Sequence, residues 1–256
     1  MSSATRLMET LALFTPRQTT WTPERVARAL GVSRASAYRY FSLLTESGFL
    51  EPVSGRGYTL GPAIVELDRQ IRLADPLVQS AVDVMAGLAK STGGIILLCR
   101  LYRDRVLCVH QERGAAVPTL VSYERGRAMP LYRGATSKVI LAFLPERELA
   151  TLLRRDRAEI LRAKLPVDEA KLRQALEPIR RERVCVTAGE VDPGACGAAV
   201  PVFEGPRLLG SLSVVLQASA MKGGALERAT RLLKNAGHSI EAELAHDQDT
   251  IREKRK

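Results

Sequence analysis

Residues 22–60, TPERVARALGVSRASAYRYFSLLTESGFLEPVSGRGYTL, constrain the fold more than any other stretch of the chain. Thr22-Pro23-Glu24 opens a helix, because threonine can accept the free N–H groups of a first turn and proline is tolerated at the first helical position. Val26, Ala27 and Leu30 recur at helical spacing, and Gly31 supplies a turn. Ser33 then caps a second helix with an apolar face of Ala37, Tyr40, Phe41 and Leu44. Its polar face carries Arg34, Ser36, Tyr38 and Arg39. Gly48 ends that helix, Phe49-Leu50-Glu51 begins a strand, Ser54-Gly55-Arg56-Gly57 turns with an arginine at its tip, and Tyr58-Thr59-Leu60 returns. Two short helices across a tight turn, followed by a basic-tipped hairpin, are the layout of a winged helix-turn-helix. In that motif the second helix enters the major groove and the wing leans on the backbone or minor groove. An ordinary helical hairpin with a β-turn is the bland alternative, and the compact spacing, the serine cap and the arginine-bearing face weigh against it.

On the DNA-binding reading the candidate contacts are Thr22, Ser33, Arg34, Ala35, Ser36, Tyr38, Arg39 and Arg56. Arginine can fork onto guanine O6 and N7, and residues at the start of a recognition helix lie deepest, so Arg34 and Ser36 are the base readers. Arg39 suits the phosphate backbone or, alternatively, an ion pair with Glu46. Thr22, at a helix start, offers a backbone N–H and a hydroxyl to phosphate.

The 256 residues suit two domains of moderate size. The formal net charge is +10, yet residues 1–74 hold nine arginines against six acidic residues, so positive charge is not confined to the reader. Phosphate-bearing partners fit this balance, which by itself is weak evidence. The start, MSSATRLMETLALF, is too polar and periodic for a signal peptide, and no apolar run approaches the roughly 20 residues that span a bilayer. A cytoplasmic protein without membrane contact is expected. Cys99, Cys108, Cys185 and Cys196 form no CxxC pair and the three histidines are scattered, so reduced thiols and no metal or cofactor are expected. Cys99 and Cys108 flank a hairpin turn at 102–105 and can face each other as small buried residues. No GxSxG, HExxH or phosphate-binding glycine loop is present, and Glu190 and Asp192, beside Pro193-Gly194, read as turn formers. The chain is therefore not expected to be an enzyme.

Along the chain, residues 4–14 read as a bracing helix with a buried stripe of Leu7, Met8, Leu11 and Phe14. After the wing, a helix over 62–73 carries Ile64, Leu67 and Ile71 on an apolar edge suited to a second copy. A new domain starts near Asp75-Pro76 with an amphipathic helix to Ser91, followed by strands at 96–102, 105–112 and 117–123. A loop at 126–130, a helix from Ala135 to Leu144 and charged helices over 146–154 and 168–183 come next. Residues 184–205 and 207–216 supply strands around a Gly-rich loop, and a closing amphipathic helix over about 223–245 completes it. The expected fold class is α+β: a winged helix-turn-helix over 1–61, a linker helix over 62–74, a C-terminal α/β domain with an antiparallel sheet over 75–246, and a charged tail over 247–256.

Two segments extend this reading. GRAMPLYRGATSKVILAFLP (126–145) and IRRERVCVTAGEVDPGACGAAVPVFEGPRLLGSLSVVL (179–216), with the N-terminal reader and connecting helix, resemble an IclR-type transcriptional regulator across essentially the whole chain. Tyr132 stands where that family commonly has histidine. Thr136-Ser137 stand where it often has alanine or leucine then glycine. Gly197 stands where many members have cysteine, with Cys196 one position earlier. The resemblance implies a small organic or aromatic acid bound in the C-terminal domain that alters binding to operator DNA. It also implies a homodimer or dimer of dimers, with linker helices and effector domains at the contacts.

For that ligand, the helix start at Ala135 offers free N–H groups and a positive dipole end, which suit a carboxylate. Thr136 and Ser137 add hydroxyls. Ser211 and Ser213 share one strand face and can point into the same cavity. Val121, Met129, Leu131 and Ala195 supply apolar walls; Ala135 itself completes the candidate effector set of Val121, Met129, Ala135, Thr136, Ser137, Ala195, Ser211 and Ser213. Arg127 and Arg133 can meet an acidic ligand or bond Glu124 or Glu190, and Lys138 can satisfy an internal carboxylate. Two other readings stand beside this one. VARALGVSRASAYRYF also resembles the reader of TetR-type repressors, which continue in helices without a wing. The third is a ligand-binding or scaffold module that does not bind DNA.

Overall fold

A computed structural model of the protein describes residues 2–115, 122–221 and 223–253. The chain divides into two compact units, residues 1–75 and 76–256.

In the first unit α1 (Ser3–Ala12), α2 (Pro23–Leu30) and α3 (Arg34–Glu46) precede the hairpin β1 (Leu50–Val53) and β2 (Gly57–Leu60), and α4 (Ala63–Ala74) follows. The caps are those the sequence suggests. Thr22 Oγ1 accepts the Arg25 N–H at 3.4 Å, and Ser33 Oγ accepts the Ser36 N–H at 3.1 Å. Gly31 closes α2 at φ 63°, a left-handed turn that carries no Cβ penalty in glycine. Trp21 and Tyr58 exchange two backbone hydrogen bonds of 2.9 and 2.8 Å, so the wing is tied to the segment before α2. Gly57 is required there, because a Cβ would lie 2.5 Å from the Trp21 carbonyl oxygen. Val26, Phe41, Leu44 and Leu50 form the core, with Leu7, Leu11, Phe14, Trp21 and Tyr58 packed against it. Met8, expected in the α1 stripe, is 63% exposed. One turn step carries it away from the narrow line of Leu7, Leu11 and Phe14.

The second unit is a six-stranded antiparallel sheet covered on both faces. Its order is β5-β4-β3-β8-β7-β6, built from β3 (Ile95–Tyr102), β4 (Arg105–Arg113), β5 (Ala128–Pro130), β6 (Cys185–Ala188), β7 (Ala195–Glu204) and β8 (Arg207–Gln217). One face packs on α5 (Pro76–Thr92) and α10 (Ala225–Glu253) through Ile96, Leu98, Leu212 and Val214. The other packs through Ile95, Leu97, Cys99 and Ala199 on α6 (Ala135–Ala142), α7 (Glu146–Arg155), α8 (Arg157–Arg162) and α9 (Glu169–Glu182). Burial on both faces explains the near-continuous apolar runs of β3 and β7. Cys99 and Cys108 face each other across β3 and β4, and all four cysteines are buried free thiols.

Three expectations change. Of the strand expected at 117–123, residues 117–121 lie outside the described residues, and Ser122 and Tyr123 are not in a strand. The outer partner of β4 is instead β5, inside the stretch expected to be a loop, where Met129 pairs with Val106 and packs into the core. Helix α8 was not foreseen: RAEILR carries a single apolar anchor, Ile160, which is fully buried. Helix α10 continues to Glu253, into the stretch expected to be a tail. Among the described residues no helix is long and apolar enough to cross a membrane, and no group of histidine, cysteine and carboxylate side chains could hold a metal ion.

Candidate functional site

Two surfaces carry the residues singled out from sequence. On the first unit, α3 presents Arg34, Ala35, Tyr38 and Arg39 to solvent, while Ala37, Tyr40, Phe41 and Leu44 are buried beneath them. Among the described residues, the Arg34 and Arg56 guanidinium groups make no hydrogen bond or ion pair. Arg56 stands exposed in the turn between β1 and β2. Arg39 does not pair with Glu46; it donates to Ser3 Oγ at 3.0 Å and lies over the Tyr40 ring at 5.9 Å. Glu46 instead accepts from Ser42 Oγ at 2.7 Å. The Ser33 and Ser36 hydroxyls are bonded to each other at 2.9 Å.

Tyr38 is 55% exposed, and its hydroxyl donates to the Glu24 carboxylate. That bond, helped by the Thr22 hydroxyl, holds the Glu24 carboxyl at about 2, below its ordinary 4.5. The same bond raises the Tyr38 phenol above its usual value. Glu24 was not singled out from sequence as more than an opening residue of α2, because a contact spanning 14 residues leaves no local signal.

On the second unit the helix start at Ala135 is already occupied. Gly134 N–H donates to Glu190 Oε2 at 3.0 Å, and Ala135 N–H donates to Thr187 Oγ1 at 3.0 Å. Lys138 Nζ meets Glu190 Oε1 at 2.6 Å, the internal carboxylate foreseen for that lysine. Arg133 donates to the Glu190 backbone carbonyl, and Arg127 lies 3.9 Å from Glu124. Asp192 accepts the Ser122 N–H at 2.7 Å and also the Ser122 hydroxyl. Glu190 and Asp192 belong to the loop between β6 and β7. That loop is bracketed by Gly189 at φ 65° and Gly194 at φ 83°, where no neighbouring atom crowds a Cβ and backbone conformation alone demands glycine.

Beneath this loop lies a cleft enclosing about 40 Å³. Of the effector candidates, Ala135, Thr136 and Ala195 line it. Met129, Ser137, Ser211 and Ser213 do not, and Val121 lies outside the described residues. The serines are engaged in holding α6 on the sheet. Ser211 Oγ donates to the Thr136 carbonyl at 3.1 Å, Thr136 Oγ1 donates to Ser213 Oγ at 2.9 Å, and Ser213 Oγ reaches the Leu97 carbonyl at 3.4 Å. Ser137 Oγ donates to the Pro130 carbonyl at 2.8 Å and meets the Tyr123 hydroxyl at 2.6 Å. Tyr132 bonds Asp156 at 2.7 Å. Lining residues that sequence reasoning missed include Tyr123, Thr187, Glu190, Val191 and Asp192. The paired loop glycines were the available signal for them.

A winged helix-turn-helix with exposed arginines on its second helix and wing, followed in the chain by a separate α/β unit, is the architecture of a DNA-binding regulator. Residues 74–242 match the family described as bacterial transcriptional regulator IclR, C-terminal, and residues 3–54 match the IclR helix-turn-helix domain. The chain belongs to the IclR family of transcriptional regulators, which are not enzymes. The HTH-type transcriptional regulator XynR of Escherichia coli K12 is 24% identical over 250 residues, covering 96% of this chain and 98% of that protein. The crystal structure of an IclR transcriptional regulator from Alicyclobacillus acidocaldarius has a TM-score of 0.76 at 25% identity, covering 94% of this chain and 98% of that one. An IclR homolog from Microbacterium hydrocarbonoxydans, solved as a complex with 4-hydroxybenzoate, shares the fold at a TM-score of 0.75 and 22% identity, covering 95% and 99% of the two chains. The wing and the strands remove the TetR-type alternative.

Two expected outcomes follow from this geometry. Glu24 should titrate near 2, so its charge is complete above 4.5 and lost only as pH falls through the low value. Tyr38→Phe should return the titration toward 4.5, as followed by carboxyl NMR; an unmoved titration would remove Tyr38 as the cause. Ser213→Ala leaves the buried Thr136 hydroxyl without its acceptor and is expected to cost about 1–3 kcal/mol in chemical denaturation. Unchanged stability would mean the Ser213 hydroxyl does not anchor α6.

Proposed function

We propose that this regulator reads operator DNA with α3 and the wing, and that a small carboxylic acid bound beneath the loop of residues 189–194 alters that binding. The observation that carries the DNA half is the pair of exposed arginines, Arg34 and Arg56, on the two elements that a winged helix-turn-helix brings to DNA. Arg34 and Ser36 read base edges, with Thr22, Ser33, Ala35 and Arg39 positioning the helix on phosphates. Tyr38 contributes through its bond to Glu24, which orients the ring at the surface. A homodimer through α4 is part of the same reading, supported by Leu67 and Ile71, which share one helix edge and are 43 and 61% exposed.

The effector half rests on Glu190. Its carboxylate occupies the Gly134 N–H and the Lys138 ammonium, the two groups that would hold a ligand's carboxylate. A ligand with that chemistry would displace Glu190 and swing the glycine-bracketed loop outward, enlarging a cleft that at about 40 Å³ holds little more than water. Ala135, Thr136, Thr187 and Ala195 would line the opened site. The 4-hydroxybenzoate of the Microbacterium hydrocarbonoxydans structure supports an aromatic acid as the first ligand to try. Because binding is reciprocal, a ligand that weakens operator affinity must itself bind less well to the DNA-bound protein.

The test is a titration of the purified protein against DNA from upstream of its own gene at two salt concentrations, with random DNA as the control. Sequence-selective, salt-dependent binding is expected; affinity equal on random DNA would favour a scaffold role. Arg34→Ala should lose about 1–3 kcal/mol on operator and relax discrimination at one base pair, whereas Arg56→Ala should weaken all sequences alike and lower the salt slope by about one. For the effector, Glu190→Ala should bind 4-hydroxybenzoate about tenfold tighter in calorimetry, a gain of about 1.4 kcal/mol from removing a competitor. Weaker binding would instead make Glu190 a ligand contact.

A further inference from the structure

The second unit holds another hollow besides the cleft under the 189–194 loop. A separate cavity of about 420 Å³ opens between the β3–β4 turn and α7, lined by Leu101, Leu131, Leu144 and Leu152 with Arg103, Arg147, Glu148, Thr151 and Arg155. Its volume falls within the roughly 300–1,000 Å³ of small-molecule sites, about tenfold above the cleft described above. Leu131, Leu144 and Leu152 are buried residues of the core, so they form a rigid apolar floor rather than mobile surface.

The rim has an uneven charge. Arg155 is neutralised: it donates to Asp156 Oδ1 at 2.7 Å and lies 3.4 Å from Asp104, and it holds the Asp156 carboxyl below the usual range. Arg103 and Arg147 are different. Arg103 sits at the tip of the β3–β4 turn at φ 57°, a conformation costly outside glycine, and its guanidinium lies over the Tyr102 ring at 5.3 Å. Among the described residues neither guanidinium has a carboxylate partner. Against these two free cations stands one free anion, Glu148, so the rim keeps an excess positive charge over an apolar floor.

We propose that this cavity is a second ligand site, for an amphipathic monoanion whose aliphatic or aromatic body lies on the leucines and whose carboxylate is held by Arg103 and Arg147. Arginine suits this role because its planar fork meets a carboxylate through two parallel hydrogen bonds. Neither Glu190 nor the α6 N-terminus takes part, so the site stands whether or not the 189–194 loop receives an effector.

The probe is octanoate, titrated by calorimetry into the full-length protein, with acetate and octanol as the anion alone and the apolar body alone. Octanoate is expected to bind at one site per chain and both fragments at least tenfold more weakly. Arg103→Ala combined with Arg147→Ala should weaken octanoate at least tenfold, and Thr151→Trp, an exposed rim residue enlarged to fill the opening, should abolish it. Val191→Trp, which fills the other cleft, should leave octanoate binding unchanged. Octanoate affinity indifferent to the rim variants, or lost in Val191→Trp alone, would overturn the proposal. A change of oligomeric state in Thr151→Trp without octanoate binding to the parent protein would also overturn it, marking the cavity as a contact between copies. All variants sit at exposed or loop positions, and a matching thermal transition confirms that each is folded.

Discussion

Burial of the sheet on both faces is the constraint from which the second unit follows. An antiparallel sheet usually leaves one face to water, and its strands then alternate polar and apolar residues. Here α5 and α10 cover one face and α6 to α9 the other. The fully buried side chains of the central strands are accordingly apolar or, at Ser211 and Ser213, hydrogen-bonded. β8 meets the requirement in two ways. Leu212, Val214 and Leu216 fill one face, and Ser211 and Ser213 meet α6 on the other through Thr136. The hydroxyls that look like ligand groups in sequence are spent on anchoring the helix. Gly210 belongs to the same packing, since a Cβ there would lie 1.9 Å from the Cys99 carbonyl oxygen.

Anchoring α6 in this way fixes where its N-terminus points and gives the adjoining loop its task. A helix N-terminus presents unpaired N–H groups that must find an acceptor. The 189–194 loop brings Glu190 to Gly134, and Thr187 at the end of β6 takes the next N–H. Lys138, one turn along, adds a cation to the same carboxylate. The protein thus supplies its own anion, Glu190, to the N-terminus of α6. Nearby, burial pushes the Cys185 thiol up to about 12, which leaves it a neutral wall beside this charged group.

The first unit is organised by caps and one cross-strand exchange more than by a large core. Thr22, Gly31 and Ser33 set the angle between α2 and α3, and the Trp21–Tyr58 pair ties the wing to the start of α2. The Phe41 and Tyr58 rings meet edge to face at 4.9 Å, joining recognition helix and wing through one aromatic contact. Arg34 and Arg56 are therefore displayed from elements whose relation is set by buried groups, and they need no internal partner of their own.

The sequence by itself determined the elements and most of their faces. Helix caps, glycine turns and apolar periodicity act over three or four residues, so α2, α3, the wing, α5 and most strands could be read directly. The same locality explains Arg34 and Arg56, whose exposure follows from helix phase and turn position. Tertiary structure decided which polar groups are free and which are spent. Thr136 and Ser213 are 77 residues apart and Gly134 and Glu190 are 56 apart, and no periodicity links them. Tyr38 and Glu24 met for the same reason. β5 formed because the exposed edge of β4 needed a partner, and α8 because Ile160 had a place in the core. A hydroxyl or carboxylate shows its chemistry in sequence, but its availability depends on what the fold places within about 3 Å of it.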